Sequence, residues 1–185
     1  MKNITATLAL GAAFLALGAC NNNGNANGMD NAQTAEAQKA AGDKTVAAGL
    51  AANGKFLAAA KAAGLDQTLA GPGPYTVIVA DDSGFDALPA GTYDNWLKPE
   101  NRAQLTGVMT NVILPGTVLA DDISKAIDNG KGKAVLATMG GGTLTATKDG
   151  DKIVLTSADG KKATITKADD KFTNGVVHHV DSVLM

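Results

Sequence analysis

The 185-residue sequence has one cysteine, Cys20, two histidines, His178 and His179, and only 4% aromatic residues. Each scarcity excludes something. A single cysteine rules out an intramolecular disulfide. Catalytic zinc takes about three protein ligands, and apart from Cys20, at the far end of the chain, no third His or Cys remains to join the histidine pair. With so few aromatics, the core must be filled mostly by Val, Ile, Leu and Ala. Charge is nearly balanced, at −2, and no Lys/Arg cluster stands out. A nucleic-acid partner therefore has little electrostatic support. No apolar run is long enough for a confident membrane span.

The one marked apolar run lies at the start, in "MKNITATLALGAAFLALGAC". Lys2 supplies a positive lead, residues 4–17 an apolar stretch, and small residues follow, which is the pattern of a secretory signal. Leu17-Gly18-Ala19-Cys20 is similar to a bacterial lipobox, in which cleavage leaves Cys20 as a lipidated first residue. An ordinary signal peptide with a chance cysteine is the alternative. The expectation is a lipoprotein signal over 1–19, with Cys20 as lipid anchor. Residues 20–42 are rich in Asn, Ala and Gly and have almost no large apolar side chain. Such a segment cannot offset its ordering entropy by burial and reads as a flexible tether.

From about residue 43 the composition turns globular. Val46, Leu50, Phe56, Leu57, Ala60, Leu65 and Leu69 recur at helical intervals, and Gly49, Gly54 and Gly64 divide them into short helices. Residues 75–79 form a β-rich apolar run, read as a buried strand. Asp81 and Asp82 precede a turn holding Phe85 and Leu88, where an acid suits a helix N-cap. Thr92 suits the cap of a turn with Trp96 and Leu97, and Pro99 the first position of the next helix. Leu105, Val108, Met109 and Val112 share a helical face, and Pro115-Gly116 separate two short apolar strands. Asp121 or Asp122 caps a further short helix carrying Ile123 and Ile127.

The last third differs in kind. Asp149-Gly150 and Asp159-Gly160 lie between alternating segments, a strong hairpin signal. Leu144 and Ala146 alternate with Thr143, Thr145 and Thr147, which predicts half-buried antiparallel strands with a threonine-rich outer face. Helices with one early strand, followed by a β-meander, make the class α+β.

Two stretches resemble a known family. Residues 71–118, "GPGPYTVIVADDSGFDALPAGTYDNWLKPENRAQLTGVMTNVILPGTV", are similar to the first signature of fasciclin-type domains, and "NGVVHHVDSVL" to the second. The resemblance spans residues 43–185 as one domain. It implies a wedge or sandwich of mostly antiparallel strands flanked by short helices. It also implies a secreted or surface-attached protein linked to adhesion, without general catalytic activity. Asn174, Gly175, His178 and Asp181 keep the second signature, while His179 replaces a commonly apolar position. Asn111-Val112 stand where the family commonly has Tyr-His, so a mechanism resting on that pair does not carry over.

The candidate chemistry is sparse. His178 and His179 are neighbours, so on a strand they face opposite sides and cannot easily share an ion. His178 then reads as a half-buried, hydrogen-bonded residue. His179 reads as a solvated neighbour of Asp181, with a pH-sensitive contact as a lesser alternative. Asp81-Asp82 and Asp121-Asp122 suit helix capping better than two-carboxylate hydrolysis, which needs acids facing across a cleft. Ser83 lacks a nucleophile context. Gly140-Gly141-Gly142 precede a strand, which fits a loose turn better than a phosphate cradle. Asp82, Asn111, His178 and His179 remain as weak binding candidates, with no catalytic residue, metal or cofactor expected. The expected function is a non-enzymatic binding or adhesion module, lipid-anchored in the bacterial envelope through Cys20. Its partner would be a surface protein or polysaccharide. A periplasmic structural or stress-related domain is the main alternative, and a hydrolase of envelope polymers a weaker one.

Overall fold

The computed structural model describes residues 44–50 and 54–184. The signal over 1–19, the anchor Cys20 and the tether over 20–42 lie outside the described residues. Glycine punctuation divides the lead-in as expected, into α1 (Val46–Gly49), α2 (Gly54–Ala63) and α3 (Asp66–Ala70). Gly64 ends α2 with φ +79°. Leu65 N–H returns to Ala60 O, and Gly64 N–H to Lys61 O. That pair of bonds satisfies the last carbonyls of the helix and needs a left-handed residue between them.

β1 (Tyr75–Ala80) follows, then α4 (Asp82–Asp86), α5 (Thr92–Trp96), a 3-10 turn over Pro99–Asn101 and α6 (Arg102–Thr110). Thr92 is the first helical residue of α5; the cap position belongs to Gly91, at φ +78°. Only one strand flanks Pro115-Gly116, namely β2 (Ile113–Pro115), and residues 117–119 run as a loop into α7 (Ala120–Asn129). The second expected strand is missing because this segment bonds to side chains. The Thr76 hydroxyl donates to Gly116 O and accepts from Val118 N–H, both at 2.8 Å.

The meander comprises β3 (Lys133–Ala137), β4 (Thr143–Asp149), β5 (Lys152–Thr156) and β6 (Lys162–Phe172), and β7 (Gly175–Val180) closes the described fold. Asp149 pairs with Lys152, leaving Gly150-Asp151 as a two-residue loop. Gly150 alone takes positive φ there, at +59°, as a type II′ hairpin turn requires. Leu144 and Ala146 are buried while the threonines beside them face out.

The seven strands form one sheet in the order β2-β1-β7-β6-β5-β4-β3. Every pairing is antiparallel except β1 with β7. The sheet curls into a near-barrel whose ends meet, with Met139 N–H donating to Ile113 O at 2.8 Å. β1 and β7 occupy its interior positions and are almost wholly buried, which is why β1 reads as a continuous apolar run. Phe56, Leu69, Ile78, Leu105, Met109, Ile123 and Ile127 from strand and helices fill the core around them.

Candidate functional site

The parallel seam places both histidines opposite β1, with Ile78 facing His178 and Val79 facing His179. His178 is completely buried rather than half-buried. Its Nδ1 accepts from Asp169 N–H at 3.2 Å, so the ring proton sits on Nε2, which donates to Val118 O at 2.9 Å. Burial pushes the His178 pKa down, against the opposing pull of the Val118 carbonyl and the Asp169 charge. Asp169 takes φ +58° at an irregularity of β6, where the register against β7 shifts between Lys167 and Asp170. Its carboxylate reaches on to α7, accepting from Ala120 N–H at 2.9 Å.

His179 does not stand solvated beside Asp181. Its Nδ1 lies 3.4 Å from Asp81 and its Nε2 3.5 Å from Asp170, with the ring mostly covered. The same irregularity of β6 causes this, because it brings Asp170 against the β7 face that a regular ladder would have left open. Asp170 also accepts from Lys167 at 2.9 Å, and that bond, foremost, holds its carboxyl below the usual range. Asp181 turns the other way and accepts from Thr164 N–H at 2.8 Å.

Asp82 caps a helix other than its own. Asp81 holds the cap position of α4 without a side-chain bond. The Asp82 carboxylate instead accepts from Lys55 N–H, at 3.2 Å, beside the amino end of α2. The Lys55 ammonium pairs with Asp86, which raises the Lys55 pKa, and the Tyr93 hydroxyl donates to Lys55 O at 2.8 Å. At α7 the cap position is Leu119, whose N–H donates back to Asp122 at 3.3 Å. The cap expected at Asp121 or Asp122 is thus displaced: both acids lie inside the first turn, where Asp122 supports the helix start.

Asn111 ends α6 and accepts from the Thr138 hydroxyl at 3.0 Å. The glycine-rich turn is tight, not loose: a Cβ at Gly140 or Gly142 would collide with the Asn111 amide. Gly140 N–H also bonds Thr110 O. A cleft of about 100 Å³ opens beside this clasp, between Val108, Leu144, Ser157 and Asp159.

Two residues whose roles the sequence did not disclose hold the most distant parts together. Asn174, nearly buried, accepts from Val46 N–H at 2.8 Å and donates to Leu69 O and Gly71 O at 2.8 and 2.7 Å. Asp169 joins β6, β7 and α7. An Asn before Gly between two strands signals a turn, but nothing in it signals partners over a hundred residues away. Among the described residues, no group of three or more His, Cys, Asp or Glu side chains could hold a metal, and no helix is long and apolar enough to cross a membrane.

The fasciclin domain family matches residues 53–185. Protein sll1483 of Synechocystis is 33% identical over 141 residues, which cover 76% of this chain and 71% of that protein. The transforming growth factor-beta-induced protein ig-h3 of Sus scrofa is 31% identical over 129 residues, covering 69% of this chain and 17% of the pig protein. Among solved structures, a domain pair from the insect cell adhesion molecule fasciclin I superposes with a TM-score of 0.67 at 16% identity, over 77% of this chain and 51% of that one. The seven-stranded near-barrel with its short helices is the fold this chain shares with that solved domain pair.

Proposed function

The chain belongs to the fasciclin domain family, whose members are associated with cell adhesion and are generally non-catalytic binding modules, and from that premise we propose a binding or adhesion module held at the cell envelope. The observation that carries the non-enzymatic reading is where the candidate side chains spend their polar atoms. His178 bonds Val118 and Asp169, Asn111 clasps the glycine turn, and Asp82 supports α2. Groups committed to structural partners in separate parts of the fold do not converge on a reacting atom. The anchor in this reading is a lipidated Cys20, which rests on the sequence pattern, and the partner is a surface protein or polysaccharide.

Two measurements test the reading. Saturable binding of the purified protein to an envelope polysaccharide or a matrix protein, lost on heat unfolding, is expected. Failure against a broad panel of both would leave a structural role. Cys20→Ala should release the protein from the membrane fraction or leave it unprocessed. A variant still cleaved and bound like the wild type would remove the anchor.

A further inference from the structure

His178, Asp169 and Ala120 form a chain of bonds in which one carboxylate has two claimants. Asp169 Oδ1 accepts from Ala120 N–H at 2.9 Å, at the start of α7. The same oxygen lies 3.8 Å from His178 Nδ1. With the ring neutral there is no conflict, since Nδ1 is an acceptor and is filled by Asp169 N–H. A proton on Nδ1 turns that acceptor into a donor. It then faces the Asp169 amide donor to donor, and among the described residues the one carboxylate within 4 Å of the ring is that already capping Ala120.

We propose that this arrangement is an acid-operated latch: protonation of His178 sets the imidazolium and the Ala120 amide in competition for Asp169, and releases the amino end of α7 from the sheet while the remainder of the domain stays folded. Three features make the release local. Val118 O keeps its bond, because Nε2 still donates after protonation. The 116–118 loop keeps the Thr76 hydroxyl. The positive φ of Asp169 places the contested residue at an irregularity of β6, where the ladder to β7 is already interrupted. Movement there breaks little regular pairing.

The electrostatic surroundings set where the latch acts. β1 presents no charged residue to the ring, and neither does the 116–119 loop. β6 presents Asp169, which favours the imidazolium. β7 supplies His179 alongside, whose positive charge when protonated opposes a second one. Asp121 and Asp122 stand in the first turn of α7. Burial holds the His178 pKa below 6.5, so the folded protein takes this proton less readily than the unfolded chain does. The contribution of neutral His178 to stability is therefore complete above about pH 6.5 and is lost as pH falls below that value towards the lowered folded one. The Asp170 pairing belongs to a separate window, since its carboxyl, already below 3.8, loses its charge only in stronger acid.

Amide hydrogen exchange on the whole protein, corrected for intrinsic rates and run from about pH 7.5 to about pH 5, reads the latch directly. Loss of one cap bond corresponds to about five- to tenfold faster exchange in the first turn of α7. That acceleration is expected in acid, while β4 and β5 stay protected. Asp169→Gly keeps the backbone conformation but removes the carboxylate, and should show the acid behaviour already at neutral pH. Asp169→Asn keeps an oxygen for Ala120 but no counter-charge for the imidazolium, so its opening should shift to lower pH. The proposal is overturned if α7 and the meander lose protection together, if α7 keeps full protection in acid, or if Asp169→Asn opens at the wild-type pH. Imidazole NMR signals showing His178 neutral where α7 opens would overturn it as well.

Discussion

The parallel seam and the meander are parts of one sheet, yet different interactions hold them. In the β3–β6 meander each strand pairs with its sequence neighbour, and the β4–β5 and β5–β6 connections are turns spelled by Asp-Gly. In the seam β1 meets β7 a hundred residues later, and side-chain-to-backbone bonds from Asn174 and His178 tie it to α1, α3 and the 118 carbonyl. Local pairing costs little loop entropy, while a contact across a hundred residues must offset much more. The polar groups of the seam are therefore buried, satisfied and few. Among the described residues no buried side-chain nitrogen or oxygen lacks a partner. The teaching is that the meander should tolerate local damage, whereas the seam should not.

The sharpest way to break the comparison is to remove the chain from Val180 onwards. Val180, Val183 and Leu184 are buried, and each large apolar side chain lost from a core costs roughly 2–5 kcal/mol against a total of about 5–15. The truncated protein should fail to give a cooperative melt by circular dichroism. Asn174→Ala should come next, at about 3 kcal/mol in urea unfolding, because it leaves an N–H and two carbonyls without partners. His178→Ala should cost about 2 kcal/mol at neutral pH by the same measurement, orphaning Val118 O and Asp169 N–H, and its stability should depend less on pH between about 5 and 7 than the wild type's. On the meander side, Gly150→Ala forces a Cβ into positive φ and should cost about 1 kcal/mol. His179→Ala should be the smallest, at about 0.5 kcal/mol, since its acid partners are part-exposed. If Gly150→Ala proved as damaging as Asn174→Ala, the distinction between the two regions would fall.

The same distinction decides what could be read from the sequence. Turns and periodicities are local, so the hairpins, the glycine-divided helices and the buried run of β1 were all legible. Partners were not. Asp82 in the sequence adjoins its own helix, yet it bonds Lys55, 27 positions earlier. His179 shares a strand face with Asp181 on paper, but the register shifts of β6 bring Asp170 to it instead. Three glycines in a row read as slack, whereas two of them mark where a backbone must pass close to Asn111. The family resemblance located residues such as Asn174 and His178 without stating what they do, and their function in the fold emerged from distances alone.

The turn between β6 and β7 also grips the point where the chain enters the described fold. Thr173 donates to Lys44 O from both its amide and its hydroxyl, and Asn174 accepts from Val46 N–H. Tension arriving along the chain from its amino-terminal side meets these three bonds first. It is passed through the turn into β6 and β7, strands paired along the middle of the sheet, before it can peel α1 from the core. In mechanical terms the turn is a strain relief: the domain is loaded through strands inside the sheet instead of its shortest helix.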